Sequence, residues 1–352
     1  MQITTQSAPH LRRPKAKVPR MMGDVSIALL PLVIFAIVQH GLNGLMILSA
    51  AVLSMMATEY VFYQLRDRAA GEKFKLKNKS FTLNNFTVLT SGLIYGLILP
   101  DQTPLMIVII GGVVGVFFAK LIFGGVGYNI FNIAGFARVF VSLSYTASTA
   151  YEKFIDSTAG ASALGILSGS PFDSSVTETY SFWQLFSGIG LPGSLGETSA
   201  LLILVGGLYL FLRKSFDAYV PLTYLLTVFV LASAVMLTQD GVGFWYPMTH
   251  LLAGGLMFGA IYMATDPVSI PLTRPGRIYF AFGLGVITFV IRLFGNLPEG
   301  VVFAILIMNM FVPLIDYPRW SHNKFNVKRA AIFAVVVLVT VVLTVLGVQY
   351  GL

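Results

Sequence analysis

Apolar runs about twenty residues long recur along almost the whole of this 352-residue chain. The last, AAIFAVVVLVTVVLTVLGVQYGL (330–352), holds no charged residue at all. A helix of that length crosses roughly 30 Å of hydrocarbon. In lipid the backbone must satisfy its own hydrogen bonds, and runs of this length do so only as helices. Charged residues make up 11% of the chain, against about a quarter in soluble domains. A soluble core this apolar would leave no water-facing surface. The reading is an all-α polytopic membrane protein.

Eleven spans are expected: 24–41, 44–65, 82–99, 104–122, 131–149, 198–212, 219–237, 249–265, 277–295, 300–316 and 330–348. The cations support this count. Of 23 Lys and Arg residues, all but Lys153, Arg138 and Arg292 fall on one face if the spans alternate. They cluster before span 1 (Arg12 to Arg20), after span 2 (Arg66 to Lys79) and after span 10 (Arg319 to Arg329). Arg213, Lys214, Arg274 and Arg277 follow spans 6 and 8, and Lys120 is taken as the cation that ends span 4 on the same face. A short-loop excess of this kind marks the cytoplasmic side. The formal charge of +8 is therefore assigned to orientation and not to nucleic acid. The N-terminus is expected in the cytoplasm, and the large 150–197 loop and the C-terminus outside it, in a bacterial inner membrane. The run behind the basic first 22 residues is of full span length, so no cleaved signal is expected. There is no cysteine, which excludes disulfides, thiol catalysis and thiolate-held iron–sulfur clusters.

Spans 1–5 and 6–10 form two sets of five that start on opposite faces. That is the parity of two inverted five-helix repeats, about ten core helices in all, with one extra C-terminal helix. The expected organisation is an N-terminal arm (1–23), a first repeat (24–149), an extracytoplasmic loop (150–197), a second repeat (198–316), a basic loop (317–329) and the added helix (330–352). Span 3 runs into LPDQTP and span 8 into TDPVSIP. Interrupted spans in both halves point to a central site between half-helices; ordinary proline helix stops are the plainer alternative. The glycine pairs, such as those in LVGGLYL and LAGGLMFGA, are read as close-packing positions. FGGVGYN lacks the Lys-Ser/Thr ending of a phosphate loop, so no nucleotide site is assigned.

The outer loop contains DSTAGASAL (156–164). It resembles the peptides D-x-x-S/T-G-A-T/S on which flavin transferases esterify a hydroxyl with the phosphate of FMN. Asp156, Gly160, Ala161 and Ser162 match, with Ser162 as acceptor; Thr177 in DSSVTETY is the alternative acceptor. The blocks FGGVGYNIFNIAGFARVF, GSLGETSALLILVGGLYLFLRK and MATDPVSIPLTRPGRIYF, continued as far as Tyr317, extend the likeness to roughly residues 5–320. The chain resembles the family formed by the D subunits of Rnf complexes and the B subunits of Na⁺-translocating NADH:quinone reductases. That resemblance implies a redox subunit with covalent FMN on the outer loop and non-covalent riboflavin nearer the cytoplasm. It further implies coupling of ferredoxin and NAD chemistry to Na⁺ or H⁺ movement, partners of the Rnf A, B, C, E and G types, and a flavin transferase for maturation. A B subunit of the quinone reductase and a cofactor-free inverted-repeat transporter or channel are the alternatives.

The family's asparagine segment appears as GGVGYNIFN, so Asn129 and Asn132 carry over as riboflavin contacts, or else cap the start of span 5. Three departures stand out: the acceptor is Ser where Thr is usual, Ile130 and Ile133 replace two prolines, and the last span is extra. Arg138 is a candidate for offsetting flavin charge, or for snorkelling. Asp266, Asn309 and Glu59 are ion-pathway candidates because polar groups at membrane depth are functional by default. Asn309 has helix bridging as its alternative role, and Glu59 has a pair with Arg138. His40 and His250 are read as interfacial side chains. No metal site and no catalytic residue is assigned.

Overall fold

A computed structural model describes residues 18–71, 86–145, 166–167, 172, 179–191, 193–239, 241–295, 300–317 and 326–351. The flavin-attachment candidates Asp156, Gly160, Ala161, Ser162 and Thr177 lie outside the described residues. Every regular element among the described residues is helical, and Pro100 and Ser194 form an isolated antiparallel bridge.

The first element, α1 (Val18–Ala69), carries both of the first two expected spans. At Gly41 the backbone turns to φ 60°, ψ −137°, a conformation that glycine reaches without a Cβ penalty. The two limbs double back there: a Cβ on Gly44 would lie 3.0 Å from the Ala36 carbonyl oxygen. The short helix α2 (Thr87–Leu97) lies against both limbs. Its Thr90 donates to the Met22 carbonyl of the first limb, and its Gly92 lies against Val52 of the second.

Next come α3 (Leu105–Val116), extended by a π-helical turn over Phe117–Leu121, and α4 (Ile133–Tyr145). A six-residue helix α5 (Phe182–Ser187), capped by Ser181, precedes α6 (Ala200–Arg213) and α7 (Tyr219–Thr238). The eighth expected span is broken. It consists of α8 (Trp245–Leu252) and of α9 (Leu256–Phe258), the latter prolonged by a second π-helical turn over Gly259–Met263. α10 (Arg274–Phe294), α11 (Gly300–Ile315) and α12 (Val327–Gly351) complete the chain. Tyr224 of α7 bonds to Thr288 of α10 in the core. The ring of Phe333 on α12 rests on Tyr279 and Phe282 of α10, while most of α12 is exposed.

α1, α7, α10 and α12 are long and apolar enough to cross a membrane. The other apolar helices described are shorter, and non-helical backbone separates helical segments at 98–104, 122–132, 253–255 and 264–273. Such backbone is tolerated at membrane depth only where protein or an aqueous cavity satisfies it. The expected helix stops at LPDQTP and TDPVSIP are present, but the break inside span 8 was not anticipated.

That break is stitched by two charges. Arg292 of α10 donates to the carbonyls of His250 (2.6 Å) and Ala253 (3.3 Å), at the C-terminal end of α8. Glu197 abuts the N-terminal end of α9, where a Cβ on Gly255 would lie 2.7 Å from its carboxyl carbon. A cation at a helix C-terminus and an anion at an N-terminus both complement the peptide dipoles. His250 is not interfacial as expected; it is buried between the rings of Tyr246 and Phe289. His40 bonds to Asp101 at 3.1 Å.

Candidate functional site

The two π-helical turns each run into a non-helical crossing, and the crossings meet. After the first turn, Gly124, Gly125 and Gly127 all take positive φ (112°, 100° and 89°). This run of left-handed residues, which only glycine adopts freely, reverses the chain towards α4. It delivers Asn129 and Asn132 to the wall of an inner cavity. After the second turn, 264–273 brings Thr265, Asp266 and Val268 to the same wall.

Three asparagines and an aspartate bind the crossings together. Asn132 caps α4, its Oδ1 accepting from Gly135 N at 3.0 Å. Its Nδ2 donates to the Met263 carbonyl at 3.2 Å, and its backbone N–H donates to Asn309 Oδ1 at 3.0 Å. Asn309 Nδ2 in turn donates to the Ser269 carbonyl at 2.9 Å. Asp266 accepts from Ser269 Oγ at 3.1 Å and Val268 N at 3.4 Å, and Asn129 bonds to the same carboxylate. Asn129 also donates to the Phe131 carbonyl. Six of these contacts satisfy a backbone group that the broken helices would otherwise leave unpaired in a low-dielectric interior.

Four sequence candidates, Asn129, Asn132, Asp266 and Asn309, are thus brought to one place. Asn132 performs the capping role, and Asn309 bridges rather than presenting a free amide. Arg138 is not among the residues lining this cavity; it is buried on α4, donates to Ser142 at 2.8 Å and lies near Tyr95.

Glu59 brings a further charge to the site. Its carboxylate accepts from Lys120 Nζ at 2.7 Å, so the two form an ion pair. Lys120 ends the fourth span as expected, but it is buried there. Its side chain is 1% exposed, inside the first π-helical turn, and it lines the cavity. It also donates to Thr87 Oγ1 at 3.1 Å, and Thr87 is part of the same wall. The sequence did carry a signal: Lys120 stands alone between FFA and LIF, where a loop cation would have polar neighbours.

The cavity measures about 60 Å³ and opens beside a cleft of about 590 Å³. Met21, Ser215, Phe216, Thr265 and Pro267 belong to both linings. Lys214, Arg274 and Arg277 edge the cleft, so it opens at the basic end of the bundle. Asp24 closes that end, accepting from Arg213 Nη2 at 3.0 Å and from Ser215 Oγ. Arg277 pairs with Asp217 and donates to the Pro271 carbonyl.

Known proteins are similar to this chain in sequence. The NQR2, RnfD, RnfE family matches residues 4–324. The D subunit of the Na⁺-translocating ferredoxin:NAD⁺ oxidoreductase complex of Acetobacterium woodii is 36% identical over 320 residues, 90% of this chain and 93% of that one. The D subunit of the proton-translocating counterpart in Clostridium ljungdahlii is also 36% identical, over 93% of this chain and 97% of that one. The B subunit of the Na⁺-translocating NADH-quinone reductase of Chromohalobacter salexigens is 37% identical over 69% of this chain and 61% of its own length. The chain belongs to the NQR2, RnfD, RnfE family.

Proposed function

We propose that this chain is a flavin-carrying membrane subunit of an ion-translocating electron-transport complex of the ferredoxin:NAD oxidoreductase kind. The observation that carries the reading is its near full-length similarity to D subunits of two such complexes. The similarity to the quinone-reductase B subunit stops at 61% of that protein, which favours the D-subunit reading over the B-subunit one. Covalent FMN is assigned to Ser162 on the outer loop, within Asp156–Ser162, and a second, non-covalent flavin to the inner cavity.

The inner site suits a flavin in two respects. The 60 Å³ cavity alone holds only a few waters, but joined with the 590 Å³ cleft it falls within the roughly 300–1,000 Å³ typical of organic ligands. Its wall mixes apolar surface (Met21, Ile94, Phe216) with amides and hydroxyls (Asn129, Thr87, Thr90), as the flat ring and polar edge of a flavin require. When bound, the flavin supplies electron transfer; the protein supplies position and field. Asn129 and Thr87 would hold its polar edge, while Asn132 and Asn309 fix the two crossings against each other.

Asp266 and Glu59 are the acids assigned to ion coupling. Asn309 has both amide atoms committed to backbone and is given a positioning role. The basic end is assigned to the cytoplasm, and the two sets of five spans to an inverted repeat. Other subunits of the complex supply the ferredoxin and NAD sites, and a flavin transferase matures the chain. Production together with that transferase, followed by a denaturing gel, should give a flavin-fluorescent band. Ser162→Ala should abolish the fluorescence and Thr177→Ala should leave it. A dark band from the unaltered chain contradicts the proposal.

A further inference from the structure

The capping and bridging bonds explain the asparagines, but not why a lysine–glutamate pair is buried at the cavity wall. A buried pair is costly: well-packed apolar residues in its place are often neutral or stabilising. As a mere staple between the second limb of α1 and the end of α3 it would be a poor one. Its orientation suggests another use. Thr87, itself in the wall, accepts a hydrogen bond from the Lys120 ammonium, so the charged end and not just the stem reaches the cavity. Glu59 is fully buried and is not part of the wall. The pair therefore presents its positive end to the cavity and its negative end away from it. Asp266 faces the cavity as the opposing acid, and its carboxylate already accepts hydrogen bonds from Ser269 and Val268.

We propose that Lys120, held by Glu59, is the charge-compensating residue of the inner cavity and favours a bound flavin in the form that bears negative charge. The inference rests on the flavin reading of the cavity. Two electrons and one proton added to neutral riboflavin leave the ring with one negative charge. The inward-facing ammonium offsets that charge, and towards a neutral ring it does much less.

The test is equilibrium dialysis of the full chain in detergent against riboflavin, oxidised in one arm and reduced by dithionite without oxygen in the other. Covalent flavin does not exchange and leaves the measurement undisturbed. In the double variant Glu59→Leu/Lys120→Met, affinity for reduced riboflavin should fall at least about tenfold relative to the oxidised form. For a two-electron couple that is a midpoint about 30 mV lower. The charge swap Glu59→Lys/Lys120→Glu keeps the pair but turns its negative end inward, and should lower the ratio further; Lys120→Arg should preserve it. Should the double variant fail to fold, the swap decides. A ratio unchanged in the variants makes the pair a staple and overturns the proposal, leaving the flavin site standing. Failure of the unaltered chain to take up either form overturns the site, and the proposal with it.

Discussion

At the scale of single residues, burial changes what a charge is for. Lys120 and Glu59 are withdrawn from water together, and each is tolerable only because of the other. Removing one partner from such a pair typically costs about 3–5 kcal/mol, because an uncompensated charge stays buried. Lys120→Met should therefore lower the unfolding temperature in detergent markedly. Glu59→Leu/Lys120→Met should recover most of the loss, and a double variant no better than the single one would contradict the pairing. Asn309 was legible from sequence, because an amide in an apolar run stands out and must find partners, whereas Asn129 and Asn132 came from the family resemblance. Their convergence with Asp266 was not legible, because it depends on two crossings more than a hundred residues apart. The burial of Lys120 was hidden for an equally physical reason. Near the end of a span, a cation reads as a loop cation unless its fold-back partner is known.

At the scale of elements, the broken helices are the informative feature. The apolar runs were plain from hydropathy, but their interruptions were only partly so. Proline marks the stops after α2 and after the second π-helical turn. A π-helical turn has no comparable sequence signature, and the Gly-Gly pair at 254–255 was indistinguishable from a packing position. Arg292 supports that break, donating to two carbonyls at the end of α8. Arg292→Met preserves the volume but leaves both acceptors without this donor. At about 1–3 kcal/mol for each buried group left unsatisfied, the variant should be less thermostable. Hydrogen exchange should rise first in α8 and α9. Uniform exchange across the bundle, or no change at all, would remove the stitching role.

At the scale of the molecule, one end is basic and bears the cleft, and the flavin loop is proposed to lie on the opposite face. Because the chain has no cysteine, single cysteines report sidedness without background. Lys77→Cys should react with a membrane-impermeant maleimide only in inside-out vesicles, and Glu178→Cys only in right-side-out vesicles. The reverse pattern would invert the assigned topology and move the cleft to the other compartment. Membership of the family was recoverable from motifs, and the helical membrane character from hydropathy. Acceptor chemistry rests on resemblance alone, with Ser162 where threonine is usual, and Ser162 lies outside the described residues.

The central claim is that this chain carries two flavins, one bonded and one held. Intact-mass measurement of the chain produced with its transferase, paired with analysis of what acid extraction releases, tests both parts together. The account predicts a chain heavier by one FMN phosphoester that localises to the peptide containing Ser162, with riboflavin in the extract. A chain at its unmodified mass, and an extract free of flavin, would contradict it.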